Sequence, residues 1–162
     1  MGRRKLKVLF VCTGNTCRSP MAKIILEDMF QRSEMRHKIQ VDSAGLMACR
    51  DIPASELAVE VFREHGLDLS LHRSKPVTDE LILEADLIVV MQASHKKSIE
   101  YCGLIRGKEI RLLSEFCPGK TEPQDIIDPY GGDKKMYEEA FEKIISCVRG
   151  LFVYLAQENK KR

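Results

Sequence analysis

The run KVLFVCTGNTCRSPMAKIILEDMF, residues 7–30, constrains the fold more than any other stretch. Leu6–Val11 is continuously apolar apart from Lys7, as a strand buried on both faces must be. Polar Thr13, Gly14 and Asn15 end it. Ala22, Ile25, Leu26, Met29 and Phe30 then recur at i, i+3, i+4, i+7 and i+8, which is one face of a helix. Ser19 followed by Pro20 predicts an N-cap with proline in the first turn, so the helix should begin just past Arg18. A two-sided strand leading through a short loop into an amphipathic helix belongs in a parallel sheet covered by helices.

The rest of the chain repeats that alternation. Ile39–Asp42 is a short second strand, followed by "SAG". Ala54, Leu57, Ala58, Val61 and Phe62 carry helical spacing that Gly66 closes. Ala85–Met91 is a third strand, a weaker helix starts at Ala93, and Glu109–Leu113 is a fourth strand. Tyr137, Phe141, Ile144, Val148, Leu151 and Leu155 predict a long final helix. The expected architecture is an α/β three-layer sandwich, a four-stranded parallel sheet with helices on both faces, forming a single domain over 1–162. Ligands of such folds bind beyond the carboxyl ends of the strands, where the loop after Val11 lies. The Pro-, Gly- and Asp-rich stretch Phe116–Gly132 is the one long loop, a frequent location of function.

A formal net charge of +2 gives no reason to expect nucleic acid or an anionic membrane as partner, and no apolar run reaches membrane-spanning length. The basic start followed by a short apolar stretch reads as a strand rather than a secretion signal. Six cysteines, at 12, 17, 49, 102, 117 and 147, show no metal-ligand spacing. They predict no disulfide scaffold and a cytoplasmic location, with Cys49, Cys102, Cys117 and Cys147 serving as small apolar residues.

Cys12 and Cys17 differ because of what surrounds them. A loop of backbone N–H groups entering a helix N-terminus is an anion site. Five residues between Cys12 and Arg18 let the chain curl around one phosphoryl group, and the arginine fork can grip two of its oxygens. The same field is expected to depress the Cys12 thiol pKa and create an in-line nucleophile, with no metal or cofactor required. A bare Cys-x5-Arg also arises by chance, and Gly14–Asn15 alone could be a plain turn. The strand before and the Ser-Pro start after favour the phosphate site. Asp128 in "DIIDPYGG" is the best candidate acid for the leaving group, and Tyr130 could wall the pocket. By itself, Asp128–Pro129 reads better as a turn former, and only together with the cysteine loop does the catalytic reading prevail.

"VCTGNTCRSPMA", "DSAG" and "DPYGG" together resemble the low-molecular-weight protein tyrosine phosphatase family, in its order and spacing and over essentially the whole chain. The resemblance implies Cys12 as nucleophile, Arg18 as phosphate clamp and Asp128 as general acid, then base for hydrolysis of a phosphocysteine. It places Thr13, Gly14, Asn15, Thr16, Cys17, Ser19 and Tyr130 around the substrate, and Ser43 and His72 in support. It also implies phosphorylated proteins as substrates, a monomer or weak homodimer, and a reversible Cys12–Cys17 disulfide protecting the nucleophile.

Thr16 refines this expectation. Tyrosine phosphatases of the family commonly carry Ile there, whereas "CTGNTCRSP" is similar to the bacterial protein arginine phosphatase branch. A threonine hydroxyl suits a guanidine head whose N–H groups an Ile would leave unpaired. Tyr130 followed by Gly131 and Gly132, and a loop Leu46–Ile52 without an aromatic, also favour a slimmer polar substrate. Phosphotyrosine is the alternative. Arsenate reductases share such a loop but need relay cysteines after the third strand, where only Cys102 is near. A non-enzymatic phosphate-binding module would need neither a reactive Cys12 nor Asp128.

Overall fold

The computed structural model of the chain describes residues 4–103, 105, 107–120 and 122–161. Four parallel strands, β1 (Leu6–Cys12), β2 (Ile39–Gly45), β3 (Leu87–Val90) and β4 (Glu109–Leu112), form one sheet in the order β2-β1-β3-β4. Among the described residues five α-helices accompany them: α1 (Arg18–Gln31), α2 (Glu56–Glu64), α3 (Asp79–Glu84), α4 (Ala93–Tyr101) and α5 (Lys134–Lys161). A 3-10 turn, Leu113–Phe116, follows β4. The α/β sandwich expected from the alternation is the one observed.

The pleat divides the core. Val8, Phe10 and Cys12 of β1 face a cluster with Met21, Leu26, Phe62, Phe141 and Val148 from α1, α2 and α5. Leu9 and Val11 face the other way, onto Ile82 of α3 and Ile99 of α4. Period-2 alternation across a central strand demands this, and it explains why β1 is apolar throughout. In register, Cys12 pairs with Gly45, and Val11 pairs with Ala44 on one side and Val90 on the other. The carboxyl ends of β1, β2 and β3 therefore meet at one edge. The strand order reverses direction at β1, where the first connection runs to β2 and the next crosses back to β3.

Several boundaries differ from the sequence expectation. β2 continues three residues past Asp42 to Gly45, and β3 is shorter than Ala85–Met91. The short α3 carried no periodic signal, but Thr78 caps it by accepting from the Leu81 amide. Cys17, not Ser19, occupies the N-cap of α1 and makes no side-chain cap hydrogen bond. Ser19 lies inside the first turn with its hydroxyl committed elsewhere.

The cysteines also require correction. Cys117 and Cys147 form a disulfide tying the end of the 3-10 turn to α5, while Cys49 and Cys102 are exposed. Thus none of the four simply fills space as a small apolar side chain. The bonded pair lies 30 positions apart, too far in sequence for spacing to announce the link. Nearby, α5 approaches the 3-10 turn so closely that a Cβ on Gly150 would lie 1.8 Å from the Phe116 carbonyl oxygen. Gly150→Ala, favourable in an isolated helix, is expected to cost about 2 kcal/mol and lower Tm by roughly 4–8 °C. Thermal unfolding of the variant checks this, and an unchanged or raised Tm refutes it.

Candidate active site

The loop from Thr13 to Cys17 connects β1 to α1 at the carboxyl edge of the sheet. Asn15 is the residue around which it turns, with φ at +56°, a left-handed conformation that asparagine tolerates. Its side chain, fully buried, is bonded at every polar atom. Oδ1 accepts from the Lys75 amide at 3.0 Å, and Nδ2 donates to Ser19 Oγ at 2.8 Å and Ser43 Oγ at 3.0 Å. The Asn15 carbonyl lies 2.6 Å from His72 Nε2. Burial is the largest effect on His72 and lowers its pKa, consistent with a neutral ring donating to that carbonyl.

These contacts orient the chemistry at Cys12. Ser19 Oγ lies 2.9 Å from Cys12 Sγ, and the Asn15 amide donates to the same sulfur at 3.3 Å. Since the Ser19 oxygen already accepts from Asn15, its own proton is free to point at the sulfur. Burial nevertheless pushes the Cys12 thiol up, outweighing the Ser19 hydroxyl, the Arg18 guanidinium and the Asn15 amide, which pull it down. The depressed thiol expected from the loop's field is therefore corrected: desolvation of the sulfur dominates in the folded loop. Alkylation of Cys12 by iodoacetate should accordingly accelerate as pH rises above neutrality. Ser19→Ala, which removes the largest lowering contribution, should move that profile to still higher pH. A profile unmoved by Ser19→Ala would mean that the serine does not stabilise the thiolate.

Arg18 is 1% exposed, a burial that an arginine tolerates only when its donors are used. Nη1 donates to the Ile126 carbonyl at 2.8 Å, and Nη2 stands 3.2 Å from Asp128 Oδ2. Asp128 itself is half-exposed at the end of the long loop, and Tyr130 beside it is largely exposed. Cys12, Thr13, Gly14, Asn15, Thr16, Cys17, Arg18, Asp128 and Tyr130 all line one cavity of about 510 Å³. Ser19, Ser43 and His72 lie behind it, joined to it through Asn15 and Cys12. Cys17 Sγ is 3.3 Å from Ser55 Oγ and 3.5 Å from Tyr137 OH. Among the described residues, no group of three His, Cys, Asp or Glu could hold a metal ion.

Sequence reasoning missed part of the wall and part of the support. The loop Leu46–Ile52, expected beside the substrate, supplies Cys49 and Ile52 to the cavity, while Pro53, Ala54, Ser55 and Glu56, which the sequence did not announce, complete it. Gly45 is required by the close approach of the segment after β2: a Cβ there would lie 2.6 Å from the Thr13 carbonyl and 2.9 Å from the Asn15 amide nitrogen. Gly45→Ala is thus expected to displace the loop and weaken phosphate inhibition of turnover by roughly tenfold, a loss of ~1.4 kcal/mol. Unchanged inhibition would show that the loop absorbs the methyl group. His95, in the first turn of α4 after β3, was also missed. It is 4% exposed, and its Nε2 lies 2.9 Å from Thr13 Oγ1. Its position just past the carboxyl end of a central strand was the signal available.

Comparison with known proteins agrees with this geometry. Residues 7–161 match the model of the family described as low molecular weight phosphotyrosine protein phosphatase. The chain is 34% identical to a protein-arginine-phosphatase of Bacillus subtilis over 156 residues, covering 96% of this chain and 100% of that one. It is 35% identical to the low molecular weight protein-tyrosine-phosphatase PtpB of Staphylococcus aureus over 145 residues, covering 88% of this chain and 94% of that one. A solved Cys-to-Ser variant of the YwlE arginine phosphatase, with a phosphorylated active site serine, superposes with a TM-score of 0.86. It is 33% identical and covers 97% of this chain and 100% of that one.

Proposed function

The chain belongs to the low molecular weight phosphotyrosine protein phosphatase family, and on that basis we propose that Cys12 is the nucleophile of a phosphoprotein phosphatase working through a phosphocysteine. The observation that carries the reading is the convergence on one cavity of a sulfur contacted by Ser19 and the Asn15 amide, a buried Arg18, and Asp128. Cys12 gives its thiol proton to an oxygen of the bound phosphoryl dianion, and the thiolate attacks phosphorus in line while loop amides and Arg18 neutralise the phosphoryl oxygens. Asp128 protonates the departing atom. It then takes a proton from the water that cleaves the phosphorus–sulfur bond. The phosphorylated active site serine of the solved YwlE variant supports a covalent route at the equivalent step.

The substrate we propose is phosphoarginine on proteins. Thr16 lines the cavity, and Tyr130 is the single aromatic among the lining residues. The B. subtilis relative named as an arginine phosphatase supports this choice. The second reading, phosphotyrosine, is favoured by Ile52, Pro53 and Ala54, an apolar wall that suits a phenyl ring. The test is kcat/KM on a phosphoarginine protein and a phosphotyrosine peptide, for the wild type and for Thr16→Ile. Phosphoarginine preference is expected, with the variant losing roughly tenfold on phosphoarginine because guanidine N–H groups lose a partner. Equal losses on both substrates, or none, would remove Thr16 from substrate choice.

A further inference from the structure

Thr13 lines the cavity, whereas His95 stands behind it. Among the described residues, His95 Nδ1 is the one buried side-chain nitrogen or oxygen without a hydrogen-bond partner. Such an orphan calls for an explanation. A buried bare lone pair costs less than a buried, unpaired N–H, so the ring proton belongs on Nε2. Nε2–H then donates to Thr13 Oγ1 at 2.9 Å. With its oxygen accepting from His95, and with no other hydrogen bond at that oxygen among the described residues, the threonine hydroxyl has its own proton to give.

We infer that His95 is a positioning residue that fixes the polarity of the Thr13 hydroxyl, so that its O–H donates into the cavity to a bound phosphoryl oxygen. The inference rests on reading the loop as a phosphate cradle. It adds a side-chain donor to the backbone amides and Arg18. The ring is held neutral: burial drives the His95 pKa down to about 4, Arg18 adds to the shift, and Asp125 and Asp128 oppose it. A charged ring would add an N–H at the orphan nitrogen, with nothing to receive it. The backbone sets the geometry as well. The Ala93 amide donates to Asp125 Oδ1 at 2.8 Å, tying the start of α4 to the loop that carries Asp128. The Thr13 carbonyl accepts from the Met47 amide at 2.9 Å. Thr13 is thereby tied from both sides, and its hydroxyl proton is left to donate.

The test is competitive inhibition of aryl phosphate turnover by inorganic phosphate, measured on the full chain. Thr13→Val and His95→Leu should each weaken inhibition about tenfold, the value of one hydrogen bond to a charged group. The double variant should be no worse than either single, because both remove the same donor. His95→Gln, whose amide nitrogen reaches the place of Nε2, should recover to within about threefold of the wild type. Additive losses, or Thr13→Val inhibited like the wild type, would overturn the inference. A ring ¹⁵N spectrum of the wild-type protein reads the tautomer directly, and Nδ1–H would also overturn it, even if His95→Leu did not fold. If phosphate neither inhibited the wild type nor shielded Cys12 from alkylation, the cradle itself would fall. That result is distinct from a wild type that binds phosphate with Thr13 indifferent to it.

Discussion

Cys12→Ser should abolish turnover, by a factor on the order of 10⁴ or more, while leaving phosphate binding nearly intact. The asymmetry follows from how the site is built. In the proposed mechanism the phosphoryl group is held by loop amides and Arg18, none of which depends on sulfur. Ser19 Oγ, 2.9 Å from the sulfur, stays near enough to bond an oxygen in its place. Chemistry does depend on sulfur: a serine hydroxyl is far harder to ionise in this desolvated place, where burial already pushes the thiol up. Oxygen is also the poorer leaving atom when water must break the bond to phosphorus. Steady-state kinetics, phosphate inhibition and intact mass check the variant together. Residual activity near that of the wild type would transfer the nucleophile's role elsewhere.

Asp128→Asn should lower kcat by roughly 10²–10⁴-fold on substrates with a basic leaving group, and much less on an aryl phosphate whose phenol is acidic. Asparagine keeps the shape but cannot deliver a proton. The need for one grows with the basicity of the departing atom. A guanidine nitrogen needs it more than an activated phenolate does. Arg18 retains its bond to the Ile126 carbonyl in the variant, so the clamp should stay ordered and phosphate inhibition should survive. A loss equal across leaving groups would assign Asp128 to holding Arg18 through their 3.2 Å contact rather than to proton transfer.

What could be read before folding was whatever is encoded locally. The apolar run of β1 has no choice but to be a central strand, and the helical spacing of α1, α2 and α5 names their buried faces. Cys12, Arg18 and the loop between them lie within one turn of chain, so their shared geometry follows from a single βα connection. Ser19 shows the limit of such reading. Its sequence context said helix cap, but the loop's demand for a hydroxyl at sulfur prevailed over capping. The thiol itself shows another limit. Local charge argued for a low pKa, but how deeply the sulfur is buried is a property of the packed whole.

His95, Gly45, the wall from Pro53 to Glu56 and the Cys117–Cys147 link are contacts between distant segments. No periodicity or spacing in the chain records where a second segment will pass. The sequence by itself determined the α/β class and the βα loop that joins Cys12 to Arg18, because each rests on neighbours in the chain. The tertiary structure decided the protonation balance at Cys12, the support behind Thr13 and Asn15, and the walls that meet the substrate. Desolvation and cross-segment hydrogen bonds come into being only when β1, β2 and β3 bring their carboxyl ends to one edge.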